Sequence, residues 1–259
     1  MRSLAAILLA LAITDGACAH DSYFLPRSFV SQGPSIDLPF TSAEAFPALE
    51  YGPKKERVAS TSARGADRDV RLSVVGERRD ALNLRLTARK SGLYVAAISL
   101  APHPITLSPE KVEEYLAEIG ADRDTREAYD ALPAPRVWRE LYTKYAKTLV
   151  CIGTCAGRRA ARDPLGFALE FVVAEKPGCA GRAFQLLSKG RAAAGRSVSV
   201  ATGKDRRLLR TDASGTICLP PGIAGPTLLS AVIIRINRGK PFTSDFATMT
   251  FDMAGWEAR

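Results

Sequence analysis

Histidine is almost absent from this chain: there are two among 259 residues, His20 and His103. Neither sits in a nucleophile context, so no Ser-His-Asp arrangement can be read. No GxSxG elbow and no phosphate loop occur, and "GTCAGRRA" has glycines without the strand-glycine-helix setting such a loop needs. Long apolar runs are also missing. The stretch Leu4 to Ile13 is too short to span a bilayer, and no later stretch is longer and as apolar. Acidic residues are outnumbered, 27 against 36 basic, for a net charge of +9. Such a balance invites a nucleic-acid reading. The basic residues are scattered, however ("GERRDALNLRLTARK", "GRRAARD", "GKDRRLLR"), and lack interleaved aromatics. They read as solvated strand faces and loops, able to face anionic envelope surfaces, and no nucleic-acid partner is expected.

The chain opens "MRSLAAILLALAITDGACAH". Arg2 gives a positive start, the apolar run follows, and Ala17-Cys18-Ala19 has the small-x-small form that signal peptidase reads. Residues 1–19 are therefore expected to be a signal peptide, with cleavage leaving His20 first and the product periplasmic, without a membrane span. A lipoprotein signal with Cys18 lipidated is the competing reading. It is disfavoured by Asp15, where such signals carry an aliphatic residue. About 240 residues then remain, enough for one large domain or two modest ones.

Four cysteines survive that cleavage: Cys151, Cys155, Cys179 and Cys218. An even count in an exported protein favours disulfides over a zinc site, which would want a second Cys or His pair. The pairing does not follow from sequence. A local Cys151–Cys155 bridge is favoured, leaving Cys179–Cys218.

Most of the chain reads as short strands with turn punctuation. In "LNLRLTA", Leu82, Leu84 and Leu86 share one face and Asn83 and Arg85 the other, the pattern of a sheet with one wet side. The exception is a helical insertion at about 108–132. "LSPEKVEEYLAEIGAD" offers Ser108 as N-cap, Pro109 at the first helical position, and Val112, Tyr115, Leu116 and Ile119 at helical spacing, with Gly120 as the stop. A second helix is expected over Thr125 to Ala131, ended by Pro133. "RVWRELYTKYAKTLVCIG" carries Trp138, Leu141, Tyr142 and Tyr145 at helical spacing and then alternates, so a strand is read from about Tyr142. Glu170, among Phe167, Leu169 and Phe171, reads as the carboxylate of a structural ion pair with Lys144 or Lys147. The expected fold is mainly β: two β-sandwich domains, 20–178 with the insertion and 179–259, separated near "KPGCAG".

Several segments resemble those of the DUF4198 family in the same order: "AHDSYFLPRSF", "EKVEEYLAEIG", "YTKYAKTLVCIG", "DPLGFALEFVV", "TDASGTICLP" and "SDFATMTFDM". The resemblance implies an N-terminal Ig-like sandwich and a C-terminal module like the carboxypeptidase regulatory domain. It further implies a periplasmic role associated with nickel and cobalt uptake, with a membrane metal-transporter component as partner. Family members often carry a further histidine in the penultimate strand. Here Val232 to Ile234 are aliphatic.

A mature N-terminal His20 would offer an α-amine, ordinary pKa about 7.7–8.0, beside an imidazole of about 6.5. The amine and Nδ1 can close a chelate ring on Ni, Co or Cu. His103, between Pro102 and Pro104, is the one other imidazole, and Asp21 could add an oxygen or orient the ring. The expectation is a non-enzymatic protein binding or delivering a transition metal ion. The competing class is a metal-free structural or interaction module of the envelope. A copper-dependent oxidase ranks last, because aromatics make up only 7% of the chain.

Overall fold

The computed structural model describes residues 20–65, 68–179, 182–203, 205–237 and 239–253. The expected signal peptide, 1–19, lies outside the described residues. In chain order the strands and helices are β1 (Asp21–Phe24), β2 (Val30–Ser31), β3 (Ser35–Ala43), β4 (Val58–Gly65), β5 (Arg71–Glu77), β6 (Leu82–Thr87), β7 (Gly92–Leu100), β8 (His103–Leu107), α1 (Pro109–Glu118), α2 (Arg123–Asp130), β9 (Trp138–Ile152), α3 (Arg159–Arg162), β10 (Leu169–Ala174), β11 (Ala183–Ser188), β12 (Arg191–Ala192), β13 (Ser197–Thr202), β14 (Asp205–Arg210), β15 (Thr216–Cys218), β16 (Pro226–Arg235) and β17 (Phe242–Asp252). The fold is mainly β, as read from the turn-punctuated alternation.

A nine-stranded sheet runs β14-β13-β16-β17-β9-β7-β4, with β2 and β8 also paired to β9. The division expected at residue 178 is not a division between sheets. β17 joins β9 in parallel from Phe242↔Glu140 to Thr250↔Thr148, so strands from both sides of the "KPGCAG" segment share one ladder. β9 also starts earlier than read, at Trp138 rather than Tyr142. Trp138 and Glu140 are buried while Arg139 and Leu141 are exposed, a period of two imposed by pairing with β8. The helical spacing of its large residues was coincidental with that period.

Residues of β9 alternate between two environments. Lys147, Leu149 and Cys151 face the sheet made by β10, β11, β12 and β15, with Phe171, Phe184, Leu186 and Ile217 in the core between. Ala146, Val150 and Ile152 face the sheet β1-β3-β6-β5, closed by Phe24, Phe40, Leu82, Leu84 and Leu86. Farther toward the start of β9 that second face is covered instead by α1 and α2, around Trp138, Tyr115, Tyr129 and Phe242. Two layers packed on the nine-stranded sheet give the sandwich character. The covering layer on one face thus changes from helix to sheet along β9, and Tyr142 and Lys144 sit at the change.

The local signals explain the helices. Pro109 opens α1, and Gly120, at φ +58°, follows its end. Ser108 makes no side-chain cap bond, whereas Asp122 caps α2 by accepting from the Thr125 N–H at 3.0 Å. Both disulfides form in the favoured pairing, Cys151–Cys155 and Cys179–Cys218.

Candidate functional site

β1 lays the start of the described chain along the seam between helices and sheet. It pairs with β3 from Asp21↔Ala43 to Phe24↔Phe40. Thr248 on β17 donates to the Ser22 carbonyl at 2.6 Å. The Tyr23 hydroxyl donates to the Ala45 and Ala48 carbonyls at 3.0 and 2.8 Å, and burial pushes its phenol up to about 12. These contacts fix the residue beside them. Lys144 donates from Nζ to the His20 carbonyl at 2.7 Å and to Ser22 Oγ at 3.0 Å.

The His20 ring stands edge-on to Tyr51, with centroids 5.5 Å apart. Its Nε2 lies 3.4 Å from Glu44 Oε1, close enough for an ion pair but without hydrogen-bond alignment, so this buried nitrogen has no hydrogen-bond partner among the described residues. His103 is exposed on β8, directly opposite Tyr142 on β9 and edge-on to its ring at 5.6 Å. The two histidines therefore pack on different tyrosines, linked through Lys144, whose ammonium is 5.4 Å from the Tyr142 ring. Asp21 does not turn to His20: its carboxylate accepts from Arg206 on β14 at 2.8 Å. Among the described residues no group of three or more His, Cys, Asp and Glu side chains is arranged to hold a metal. Val232 packs among the apolar residues of the helical core.

Sequence reasoning missed the charged surroundings. The sequence offers Lys144 and Lys147 as partners for Glu170. Lys144 and Lys147 are three residues apart and so lie on opposite faces of β9. Glu170 takes Lys147, buried in the core, and Lys144 is left for His20. Arg57 stands at the end of a single helical turn just before β4 and places its guanidinium 6.0 Å from the Tyr142 ring. Burial brings the Lys144 ammonium down to about 8, and nearby Arg57 adds to the fall. A small cleft of about 20 Å³, room for about one water, is lined by Asp21, Glu118, Ser199, Arg206, Ser230 and Phe246.

Glu118, at the end of α1, is the titrating group of that cleft. Burial first, then the Asp21 charge, raises its carboxyl from 4.5 to about 7. Between those two values the folded chain holds the proton more than the unfolded chain does. The stabilisation is complete below 4.5 and is lost as pH rises through 7. Glu118→Gln removes this component. Urea denaturation of the variant at several pH values should show a flatter stability profile across that window; an unchanged slope would assign the pH dependence elsewhere.

No curated protein matches this chain. Among solved structures, the D0-D1 domain of intimin matches over 90% of this chain and 97% of that one, at 12% identity and a TM-score of 0.21, too distant a likeness to argue from. The sequence profile described as a domain of unknown function, DUF4198, matches residues 17–235. With that match covering most of its length, the chain belongs to the DUF4198 family.

Proposed function

We propose that this chain is an exported, non-enzymatic protein that holds a transition metal ion, nickel, cobalt or copper, at a mature N-terminal His20 and delivers it to a membrane transporter component. The observation that carries the reading is the approach of Glu44 to the His20 ring, at 3.4 Å from Nε2. A carboxylate beside one ring nitrogen of a metal-binding histidine can orient the ring once the two align. With Nε2 turned to Glu44 Oε1, the metal is assigned to Nδ1 together with the α-amine that cleavage after Ala19 would create. Lys144 holds the His20 carbonyl, so the chelating residue starts from a fixed backbone. His103, on β8 opposite Tyr142 of β9, is the other imidazole of the chain. Two disulfides accord with a periplasmic location.

The test uses exported protein whose first residue has been fixed by mass spectrometry. Ni(II), Co(II) and Cu(II) are titrated into it and into a form with one extra N-terminal residue. The extra residue should weaken binding at least about tenfold, since it removes the amine from the chelate. Glu44→Gln should weaken binding by about 10–100-fold. Equal affinity in all three forms overturns the metal reading.

A reading of a different class has one observation in its favour. β14 is an edge of the nine-stranded sheet, carries Arg206, Arg207 and Arg210, and exposes Leu208 by 50%. An open edge of this kind can add a partner's strand. Under that reading the chain is a metal-free envelope module, and removal of metal would leave its associations unchanged.

A further inference from the structure

We propose that Lys144 and Arg57 form an anion site beside the Tyr142 ring that takes a small organic di- or tricarboxylate. The two cations approach the same aromatic ring, at 5.4 and 6.0 Å from its centroid, and His103 stands edge-on to that ring at 5.6 Å. Among the described residues neither cation has a carboxylate within ion-pair distance. The partners of Lys144 are the neutral His20 carbonyl and Ser22 hydroxyl. Arg57 donates one guanidinium N–H to the Ala101 carbonyl at 3.0 Å, and its Nε is buried with no hydrogen-bond partner. Half-buried cations with no carboxylate in contact are costly; Asp21, Glu140 and Glu118 offset part of that cost for Lys144 from a distance, and the cost falls further when an anion enters.

The carboxyls around the cluster are otherwise engaged. Asp21 is taken by Arg206, and Glu44 faces His20. Glu140 is buried and accepts from the Trp138 indole N–H, the Tyr115 hydroxyl and the Ser244 hydroxyl. Glu118 lies in the cleft with Asp21 and Arg206. None of them neutralises Lys144 or Arg57 at contact. Two positive charges beside one ring, with Phe246 packed edge-on to it at 5.9 Å, suit a ligand with carboxylates on a short carbon frame, because each carboxylate can meet one cation. Tyr142 and Arg57 are half-buried and His103 is exposed, so the ring is reachable from solvent.

This site stands without the metal reading, and the experiment separates the two. Citrate, acetate and inorganic phosphate are titrated calorimetrically into metal-stripped full-length exported protein and into Arg57→Gln and Lys144→Gln. Citrate should bind, acetate should bind more weakly, and each substitution should weaken citrate about tenfold or more. Arg57→Gln is the decisive variant, since among the described residues the Arg57 side chain makes one hydrogen bond, to the Ala101 carbonyl between β7 and β8. An unchanged melting temperature shows that it still folds. The proposal is overturned if citrate does not bind metal-stripped protein, if Arg57→Gln binds it as well as the parent, or if phosphate binds as tightly as citrate. Citrate binding that survives blockage of the N-terminal amine would support the anion site even where the metal reading fails.

Discussion

Glu170→Gln should unfold about 6–20 °C below the parent chain, a loss of about 3–5 kcal/mol. Glu170 and Lys147 are buried between the two layers on one side of the nine-stranded sheet, with side chains 0% and 3% exposed. The Glu170 carboxylate accepts from the Lys147 ammonium and from the backbone N–H groups of Leu165, Gly166 and Phe167, at 2.8, 2.8 and 3.1 Å. Lys147 has far less: besides Glu170 it donates to the Phe171 carbonyl at 2.9 Å. Removing the negative charge therefore strands an ammonium in apolar surroundings. Removing the positive charge leaves a carboxylate that keeps three amide donors. The two substitutions should be unequal, with Lys147→Met costing less than Glu170→Gln. A double replacement by apolar residues should recover only part of the loss, because the three amides of 165–167 would then lack their acceptor. Thermal and urea unfolding of the three variants measure this. Equal losses for the two single changes would show that the amide cradle contributes nothing.

That ion pair also shows what could be read from the residues alone. Glu170 was legible as a paired carboxylate because it interrupts an apolar strand, but the choice between Lys144 and Lys147 depends on which face of β9 each occupies. Parity along a strand becomes known only once its start is known, and the start was obscured. Trp138, Leu141, Tyr142 and Tyr145 stand at helical spacing, while the burial of Trp138 and Glu140 follows a period of two. Local patterns held where the structure is local. Leu82, Leu84 and Leu86 are buried on one face of β6, and Val112, Tyr115 and Leu116 on one face of α1. The domain boundary expected at 178 does not separate sheets, since β17 and β9 meet across about a hundred residues of chain. The site shares that property. Arg57, Glu118, Lys144 and Arg206 come from four distant segments, and no spacing rule connects them to His20. Only the two histidines announced themselves, through their rarity.

The largest single side chain in the helical part of the core gives the last expectation. Trp138 is fully buried. It stacks on Phe242 at 4.3 Å and meets Tyr115 and Tyr129 edge-on at 5.8 and 5.9 Å, so it joins α1 and α2 to β17. Its indole N–H donates to Glu140 at 2.6 Å. Trp138→Ala should lose about 3–5 kcal/mol through the cavity it opens. Trp138→Phe keeps a ring over Phe242 but takes one donor from the buried Glu140, and should lose about 1–3 kcal/mol. The difference between the two measures packing against polar satisfaction at the same position. Both effects reach the seam, because α1 carries Glu118 into the cleft beside Asp21 and Arg206. Loosening the helix lets water reach Glu118, so its carboxyl should return toward 4.5 in Trp138→Ala, read by NMR titration at a pH where the variant is still folded. A variant that unfolds within about 1 kcal/mol of the parent, with the Glu118 titration unmoved, would show that the helices are held on the sheet by contacts other than this indole.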